Sequence, residues 1–129
     1  MNIQIGDEIT LSEEVVPENT AKTWGSGSLP VYATPAMCTL IERAAVALLS
    51  DKLDEGMTTV GTKLNIAHVS ATPVGGKVDC HCTLTEIDRK RLEFHVEVTD
   101  AKGRVGIGTH ERFIVEAESF MEKAEHKFD

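Results

Sequence analysis

A single carboxylate interrupts the most apolar segment of the chain. Glu42 is surrounded, at helical spacing, by the apolar residues Cys38, Ala45, Val46 and Leu49. A carboxylate in such surroundings is costly to desolvate unless it is paired or exchanges a proton. The pattern therefore indicates acid–base or nucleophilic chemistry at Glu42. The alternative is that Glu42 and Arg43 form a thin solvent-facing edge of a helix.

One histidine lies in phase with the apolar residues of a predicted strand. Leu64, Ile66 and His68 share one strand face, so the imidazole should point toward the core. A lone histidine in that position is commonly a hydrogen-bonded core residue. A histidine and a glutamate directed into one cleft, however, supply general acid–base chemistry near neutral pH. Glu42 and His68 are more suggestive together than either is alone.

Thr34 and Gly61 could complete such a site. Thr34 precedes Pro35, so its simplest role is the N-cap of a helix. Gly61 breaks a strand pattern, as a bulge or where a ligand approaches the backbone, and its N–H could then stabilise an oxyanion. Eight helical residues rise about 12 Å. Thr34 must therefore lie on the preceding loop and fold back toward Glu42, or the cleft must combine two subunits.

A charged cluster, His110-Glu111-Arg112, lies on the last predicted strand. Strand alternation places Glu111 on the face of Thr109 and Phe113, with His110 and Arg112 on the other. We interpret the cluster as part of a solvated sheet face carrying a cross-strand ion pair.

The segment Cys80-His81-Cys82 resembles a fragment of a metal site. On a strand, however, His81 points to the face opposite both sulfurs. No second cluster of cysteine and histidine completes a tetrahedral set, so we predict buried structural thiols and no metal.

The elements that must position these residues change their hydrophobic period near Met57. Helical spacing predicts one helix from Pro35 to about Leu53, apolar almost all round and therefore buried. A strand from about Asp7 to Val16 precedes it, and Glu18 to Tyr32 reads as a loop. Four alternating strands follow, the last of which turns one set of residues to a common face: Val105, Ile107, Thr109, Phe113 and Val115.

These elements predict an α+β fold. A curved antiparallel sheet wrapped around one long buried helix, the hotdog fold, explains why that helix is apolar nearly all round. The tail from Glu116 to Asp129 is expected to form a short terminal helix. With 129 residues, the chain is expected to be a single domain over 1–129.

Composition narrows the class of protein. The net charge of −8 argues against a protein that grips nucleic acid. The first residues show no basic stretch followed by an apolar run, and no apolar run is long enough to cross a bilayer, so we expect neither a secretory leader nor a membrane segment. Three cysteines without a leader favour free thiols in a reducing compartment, and we predict a cytoplasmic location.

Several motifs in register resemble the fluoroacetyl-CoA thioesterase-like branch of the hotdog thioesterases. The similarity runs from Gly6 to the tail and is carried by five segments: Tyr32-Ala-Thr34-Pro, Leu40-Ile-Glu42-Arg-Ala-Ala45, Val60-Gly61-Thr62, His68-Val-Ser-Ala-Thr-Pro73 and Gly108-Thr-His-Glu-Arg112. The resemblance implies a dimer, with a tetramer left open, that hydrolyses an acyl-CoA thioester. Coenzyme A is then part of the substrate, and no cofactor is expected.

The resemblance also assigns roles to residues. Thr34, Glu42 and His68 become the catalytic group, and Gly61 and Thr62 bind the substrate, with the Gly61 amide on the thioester carbonyl. Glu42 would attack the carbonyl or activate a water, a choice that stays open. His68 would act as general acid and base toward the CoA thiolate, and Thr34 would orient or polarise one of these partners.

One departure from the family concerns the acyl group. The fluoroacetyl-specific enzyme carries phenylalanines that form a lid over the acyl pocket, whereas the matching segment here reads Trp24-Gly-Ser-Gly-Ser-Leu-Pro30. We therefore predict a substrate other than fluoroacetyl-CoA. Two other functions remain open: a hotdog module that binds an acyl-CoA without hydrolysing it and, with less support because no suitable aspartate is evident, an enoyl-CoA hydratase.

Overall fold

Five antiparallel strands form one sheet in the computed structural model, which describes residues 1–129. The strands are β1 (Glu8–Glu14), β2 (Met57–His68), β3 (Lys77–Asp88), β4 (Arg91–Asp100) and β5 (Gly103–Glu116), in the spatial order β1-β3-β4-β5-β2. The helices are α1 (Ala21–Trp24), α2 (Thr34–Leu49) and α3 (Ala117–Glu125). Helix α2 packs against β1, β2 and β3, so the sheet reaches around it from both edges. The predicted α+β architecture is confirmed.

Helix α2 is shorter and less enclosed than predicted. It ends at Leu49, before the predicted Leu53, and its apolar residues at helical spacing face the sheet: Ala36, Met37, Leu40, Ile41, Ala44, Ala45, Leu48 and Leu49. On the opposite side Arg43 is exposed and Val46 is 52% exposed. The expectation of a helix buried on all sides is therefore wrong for a single chain, because the sheet covers only one face. No helix has the length and apolar content needed to span a membrane.

The central strands β3 and β4 show the predicted alternation. Their buried residues form the sheet side of the core: Val78, Cys80, Cys82, Leu84, Leu92, Phe94, Val96 and Val98. Between the two buried thiols, His81 points to the opposite face, where its Nε2 lies 3.4 Å from Oε2 of Glu8. The predicted placement of these three residues is confirmed.

The predicted phase of β5 is wrong over most of its length. Val98 pairs with Gly106 but Thr99 pairs with Arg104, so a bulge leaves Val105 as an extra residue. An extra residue reverses the side that all later residues face. Beyond Val105, the side facing α2 therefore carries the even-numbered positions: Gly106, Gly108, His110, Arg112 and Ile114. A Cβ at Gly106 would lie 2.6 Å from Sδ of Met37, so glycine there lets α2 approach the sheet closely.

The segment predicted as a loop from Glu18 to Tyr32 contains local structure. A 3-10 turn (Pro17–Asn19) leads into α1, whose N-terminus is capped by Thr20. The indole Nε1 of Trp24 donates to the carbonyl oxygen of Glu18 at 3.0 Å. Residues such as Thr20 and Asn19, which cap or precede this short helix, are also common in turns, so composition alone predicts a loop here. The predicted terminal helix is confirmed as α3.

Candidate active site

The Glu42 carboxylate is held by a buried arginine from β5. Nη1 of Arg112 lies 3.3 Å from Oε2 of Glu42, and the same guanidinium donates to Oγ1 of Thr59 at 2.8 Å and to its carbonyl oxygen at 3.1 Å. Arg112 is 6% exposed, whereas the Glu42 side chain is 44% exposed. Burial lowers the pKa of Arg112, and the neighbouring Glu42 opposes that shift. The carboxylate is thus held on its inner side by a buried guanidinium and exposed to solvent on its outer side.

Gly61 lies directly beside this ion pair. A Cβ at this position would be 2.6 Å from Oε2 of Glu42 and 3.1 Å from Nη1 of Arg112, so only glycine leaves room for both groups. Of the two explanations for the break in the strand pattern at Gly61, the bulge is present, because the register of β2 against β5 shifts between Gly61 and Lys63. The backbone at Gly61 therefore borders the carboxylate, as an oxyanion donor would need to.

Thr62 does not join the Glu42 cluster through its side chain. Its Oγ1 donates to the carbonyl oxygen of Glu111 at 3.1 Å and lies 2.9 Å from Oε2 of the same residue. Glu111 belongs to the outer face of the sheet, where it also pairs with Arg91 at 3.3 Å. A substrate-binding role for Thr62 would therefore have to involve its backbone.

Thr34 and His68 form a second cluster at the start of α2. Oγ1 of Thr34 lies 2.8 Å from Nδ1 of His68. Thr34 is the first residue of the helix, and the capping position belongs to Ala33, which provides no side-chain bond. The predicted N-cap role of Thr34 is therefore wrong, because its hydroxyl faces β2 rather than the helix N–H groups.

His68 is partly enclosed and incompletely bonded. Its ring meets the ring of Tyr32 edge-on at 6.4 Å, and the hydroxyl of Tyr32 in turn bonds Oε2 of Glu13 at 2.6 Å. Nε2 of His68 is buried and has no hydrogen-bond partner within the chain. Desolvation lowers the pKa of His68, which favours the neutral imidazole near pH 7. A neutral ring with a free nitrogen is suited to accept or deliver a proton.

The two clusters do not meet within one chain. Thr34 and Glu42 are separated on the same helix by about 12 Å of rise. A depression of about 300 Å³ borders Thr34 and His68, and a different one of about 510 Å³ borders Glu42 and Arg112. The structure therefore brings together Thr34 with His68, and Glu42 with Gly61, but not all four.

The interpretation of His110 and Arg112 as parts of a solvated face is wrong. His110 is 1% exposed and Arg112 is 6% exposed, because the bulge at Val105 turns both toward α2. Only Glu111 lies outward, where it forms a cross-strand ion pair with Arg91. A usable signal was the shared phase of Gly106, Gly108, His110, Arg112 and Ile114, in which two glycines mark a close approach to the helix.

The sheet wrapped around α2 is a hotdog fold. A hot-dog-like protein from Thermanaerovibrio acidaminovorans has the same fold, with a TM-score of 0.90 over 97% of this chain and 93% of its own, at 23% identity. The family model for fluoroacetyl-CoA-specific thioesterases matches residues 15–118, and the chain belongs to this family. The resemblance inferred from the sequence motifs is confirmed.

Two relatives support the family assignment. The fluoroacetyl-CoA thioesterase of Streptantibioticus cattleyicolor is 34% identical over 97 residues, which cover 75% of this chain and 70% of the relative. A solved structure of a fluoroacetyl-CoA thioesterase superposes with a TM-score of 0.92 at 28% identity and covers 100% of both chains.

Proposed function

We propose that the protein hydrolyses an acyl-CoA thioester to a carboxylic acid and free coenzyme A. Membership of a thioesterase family and a relative named as a thioesterase support this reaction. The observation that carries the proposal is the cluster at Glu42: a carboxylate fixed by Arg112, open to solvent and adjacent to the Gly61 backbone. A carboxylate beside a backbone amide is suited to attack on a carbonyl carbon.

The reaction uses the two clusters for different steps. Glu42 attacks the thioester carbonyl or removes a proton from the attacking water, while the Gly61 amide stabilises the oxyanion. The C–S bond then breaks, either leaving a Glu42–acyl anhydride that water hydrolyses or giving the free acid directly. His68 accepts the proton that originates from the attacking water and passes it to the departing thiolate, so the imidazole is neutral before and after the reaction. Over the full reaction, the hydroxyl of one water joins the acyl group and its proton ends on coenzyme A. No separate cofactor is required.

The complete site requires both clusters, so we include a homodimer in the proposal. β2 and β1 are the two edges of the sheet. Strand β1 has seven residues, three of them glutamates, whereas β2 has twelve residues and only one charged side chain, that of Lys63. Charged, short edges resist pairing, and long uncharged edges favour it. The long edge, β2, is therefore the side on which a second copy would add.

Pairing through β2 would also assemble the site. Gly61 and His68 lie on this strand and face the α2 side of the sheet, since they pair with Arg112 and Gly106. An antiparallel two-fold pairing centred on Asn65 would keep the facing of both strands and place His68 of one protomer opposite the partner's Gly61–Thr62 bulge. Glu42 would then meet Thr34 and His68 across the interface, and the unpaired Nε2 of His68 would face the reacting group.

The acyl group is proposed to differ from fluoroacetyl. Small residues, including Ala21, Ser26 and Ala71, line the depression beside Thr34 and His68. The segment beside it, Trp24 to Pro30, contains no phenylalanine, whereas the family lid carries phenylalanines over the acyl pocket. We also propose a cytoplasmic location, which the free thiols of the three cysteines support.

Thiol release from a panel of short, branched, aromatic and long acyl-CoAs tests the function. We expect activity on one class, and a loss of about 10³-fold in kcat for Glu42→Gln, since a neutral amide can neither attack nor act as a base. Glu118→Gln, an exposed change on α3, is the matched control and should be fully active. A folded protein that binds acyl-CoA tightly but releases no thiol would instead be a binding module.

A further inference from the structure

One buried ionisable residue beside the Glu42 cluster has no part in the steps described above. His110 is 1% exposed and stacks on Phe94, with the ring centroids 6.1 Å apart and the ring planes at 29°. Apolar packing alone would be better served by an aromatic ring without nitrogens, because buried polar atoms must find partners. Both nitrogens of His110 do find partners.

The two hydrogen bonds of His110 fix its protonation state. Nδ1 lies 2.8 Å from the carbonyl oxygen of Lys63, which can only accept, so Nδ1 carries the proton. Nε2 lies 3.2 Å from Nη1 of Arg112, which can only donate, so Nε2 carries none. The ring is thus neutral, in agreement with the lowering of its pKa by burial. Protonation would replace the acceptor at Nε2 with a second cation against Arg112.

The partners of His110 are the two parts of the structure that surround Glu42. Lys63 is the residue at which the β2 register resumes after Gly61, so the bond to its carbonyl oxygen secures the bulge. The nitrogen of Arg112 that His110 contacts is the same Nη1 that binds Glu42. A single imidazole therefore joins the strand that carries the Gly61 amide to the arginine that aims the carboxylate.

We propose that His110 is a positioning residue for the hydrolysis, acting through Arg112 and the Lys63 carbonyl to hold Glu42 and Gly61 in their reactive arrangement. The inference rests on the proposed function of the Glu42 cluster. His110 does not touch the substrate or transfer a proton. Its contribution is that it accepts from Arg112 and donates to Lys63, which keeps the guanidinium from turning away from the carboxylate.

Three substitutions separate the two hydrogen bonds from simple packing. His110→Phe keeps the ring against Phe94 and loses both bonds. In His110→Gln the amide oxygen can replace Nε2 and accept from Arg112, whereas in His110→Asn the shorter amide can replace Nδ1 and donate to Lys63. His95→Phe, an exposed histidine on the outer side of β4, is the matched control.

We expect His110→Phe to lower kcat by about 10- to 100-fold with KM changed by less than about threefold, because misplaced catalytic groups affect the transition state most. His110→Gln should recover most of this loss and His110→Asn much less, while His95→Phe should match wild type. The proposal is overturned by wild-type kcat in His110→Phe, or by Gln and Asn variants as impaired as Phe.

A measurement without substrate separates this proposal from the proposed function. In NMR spectra, the side-chain N–H signals of Arg112 should exchange slowly in wild type and in His110→Gln, and rapidly in His110→Phe. If wild type released no thiol from any acyl-CoA, the proposed function would fail. Slow exchange of the Arg112 N–H protons in wild type and rapid exchange in His110→Phe would still show that His110 holds Arg112. Equal Arg112 signals in wild type and His110→Phe would exclude that positioning role.

Discussion

The two candidate clusters differ in how completely one chain builds them. Around Glu42, the guanidinium of Arg112 has four partners: Oγ1 and the carbonyl oxygen of Thr59, Nε2 of His110, and the Glu42 carboxylate. At the other cluster, His68 has one side-chain bond, to Thr34, and a buried nitrogen without a partner. The first cluster is charged and closely bonded, and the second is neutral and incomplete.

This difference separates two requirements of one reaction. A carboxylate that attacks or activates water must be held in place, and an ion pair to a buried arginine that also has neutral hydrogen-bond partners provides that rigidity. A proton carrier needs a free nitrogen and a pKa near the working pH. One chain builds the rigid part by itself, while in the proposed dimer the incomplete part would gain its remaining partner from a second copy or from the substrate.

The largest effect beyond Glu42 itself is expected at the arginine. Arg112→Lys keeps the charge but replaces a planar fork by a point donor, so it cannot serve Thr59, His110 and Glu42 together. We expect kcat to fall by about 100-fold and the free energy of unfolding by about 1–3 kcal/mol, since buried acceptors lose their donor. Kinetics and urea unfolding measure both.

The control for the arginine is Arg91→Lys, which alters an ion pair with Glu86 and Glu111 on the outer face. It should change kcat by less than about twofold and stability by less than about 1 kcal/mol. Equal effects of the two substitutions would remove the distinction between the inner and outer pairs.

A methyl group at Gly61 tests how tightly the Glu42 cluster is packed. Gly61→Ala adds a Cβ that would lie 2.6 Å from Oε2 of Glu42. The carboxylate must move, and we expect kcat to fall by about 10- to 100-fold. In a Glu42→Gln background the same substitution should cost little more, since the group it displaces is already inactive. Full additivity of the two changes would show that Gly61 acts elsewhere.

The looser cluster should tolerate change better. Thr34→Val keeps the shape of the side chain and removes the 2.8 Å bond to Nδ1 of His68. We expect a loss of about tenfold in kcat, with most activity kept in Thr34→Ser. Thr39→Val on the same helix, which loses only a bond to the Pro35 carbonyl oxygen, is the control. If Thr34→Val reduced kcat as much as Arg112→Lys, the two clusters would be equally sensitive to substitution, and the expected difference between them would be absent.

The smallest effect concerns the pH dependence of stability. Burial lowers the pKa of both His110 and His68 from the ordinary value of 6.5. The unfolded chain therefore binds more protons below that value, and the free energy of unfolding should fall as the pH drops from about 6.5, with a slope of up to about 1.4 kcal/mol per pH unit for the fully buried His110.

Urea unfolding at about pH 7 and about pH 5 measures this slope. Carboxylates away from Arg112 contribute equally to wild type and His110→Phe, so the difference between these two proteins reports on His110 and the Arg112–Glu42 pair that it contacts. We expect the variant to lose less stability on acidification, and a smaller difference for His68→Asn because His68 is partly exposed. An identical pH dependence in wild type and His110→Phe would contradict the neutral buried ring.

Much of the fold could be predicted because hydrophobic period depends on local sequence. The alternation in β3 and β4 and the spacing along α2 both follow from the side of each element that meets the core. The phase of β5 could not be predicted, because a bulge depends on the pairing of Thr99 with Arg104 across the β4–β5 hairpin. Because of the extra residue at Val105, the predicted side of the sheet is wrong for every later side chain of β5.

The candidate site was predicted in part. Glu42, His68 and Gly61 disturb local patterns, and a polar residue or a glycine inside an apolar pattern is visible in the sequence. Arg112 and His110 are ordinary residue types for a strand, and the one local feature that marks them is their shared phase with Gly106 and Gly108. Their importance comes from contacts with Glu42 and Thr59, which are 70 and 53 positions away from Arg112 in sequence. Such contacts are set by the tertiary fold alone.

In the proposed dimer, one active site combines Glu42 of one protomer with His68 of its partner, and mixing two inactive variants tests this arrangement directly. Glu42→Gln and His68→Ala proteins are each purified, shown to be inactive, unfolded together in urea and refolded at equal concentrations. If the site spans two chains, a mixed dimer holds one intact site, and about one quarter of wild-type thiol release should return. If each chain carries its own complete site, every site in the mixture keeps one defect, and no activity returns.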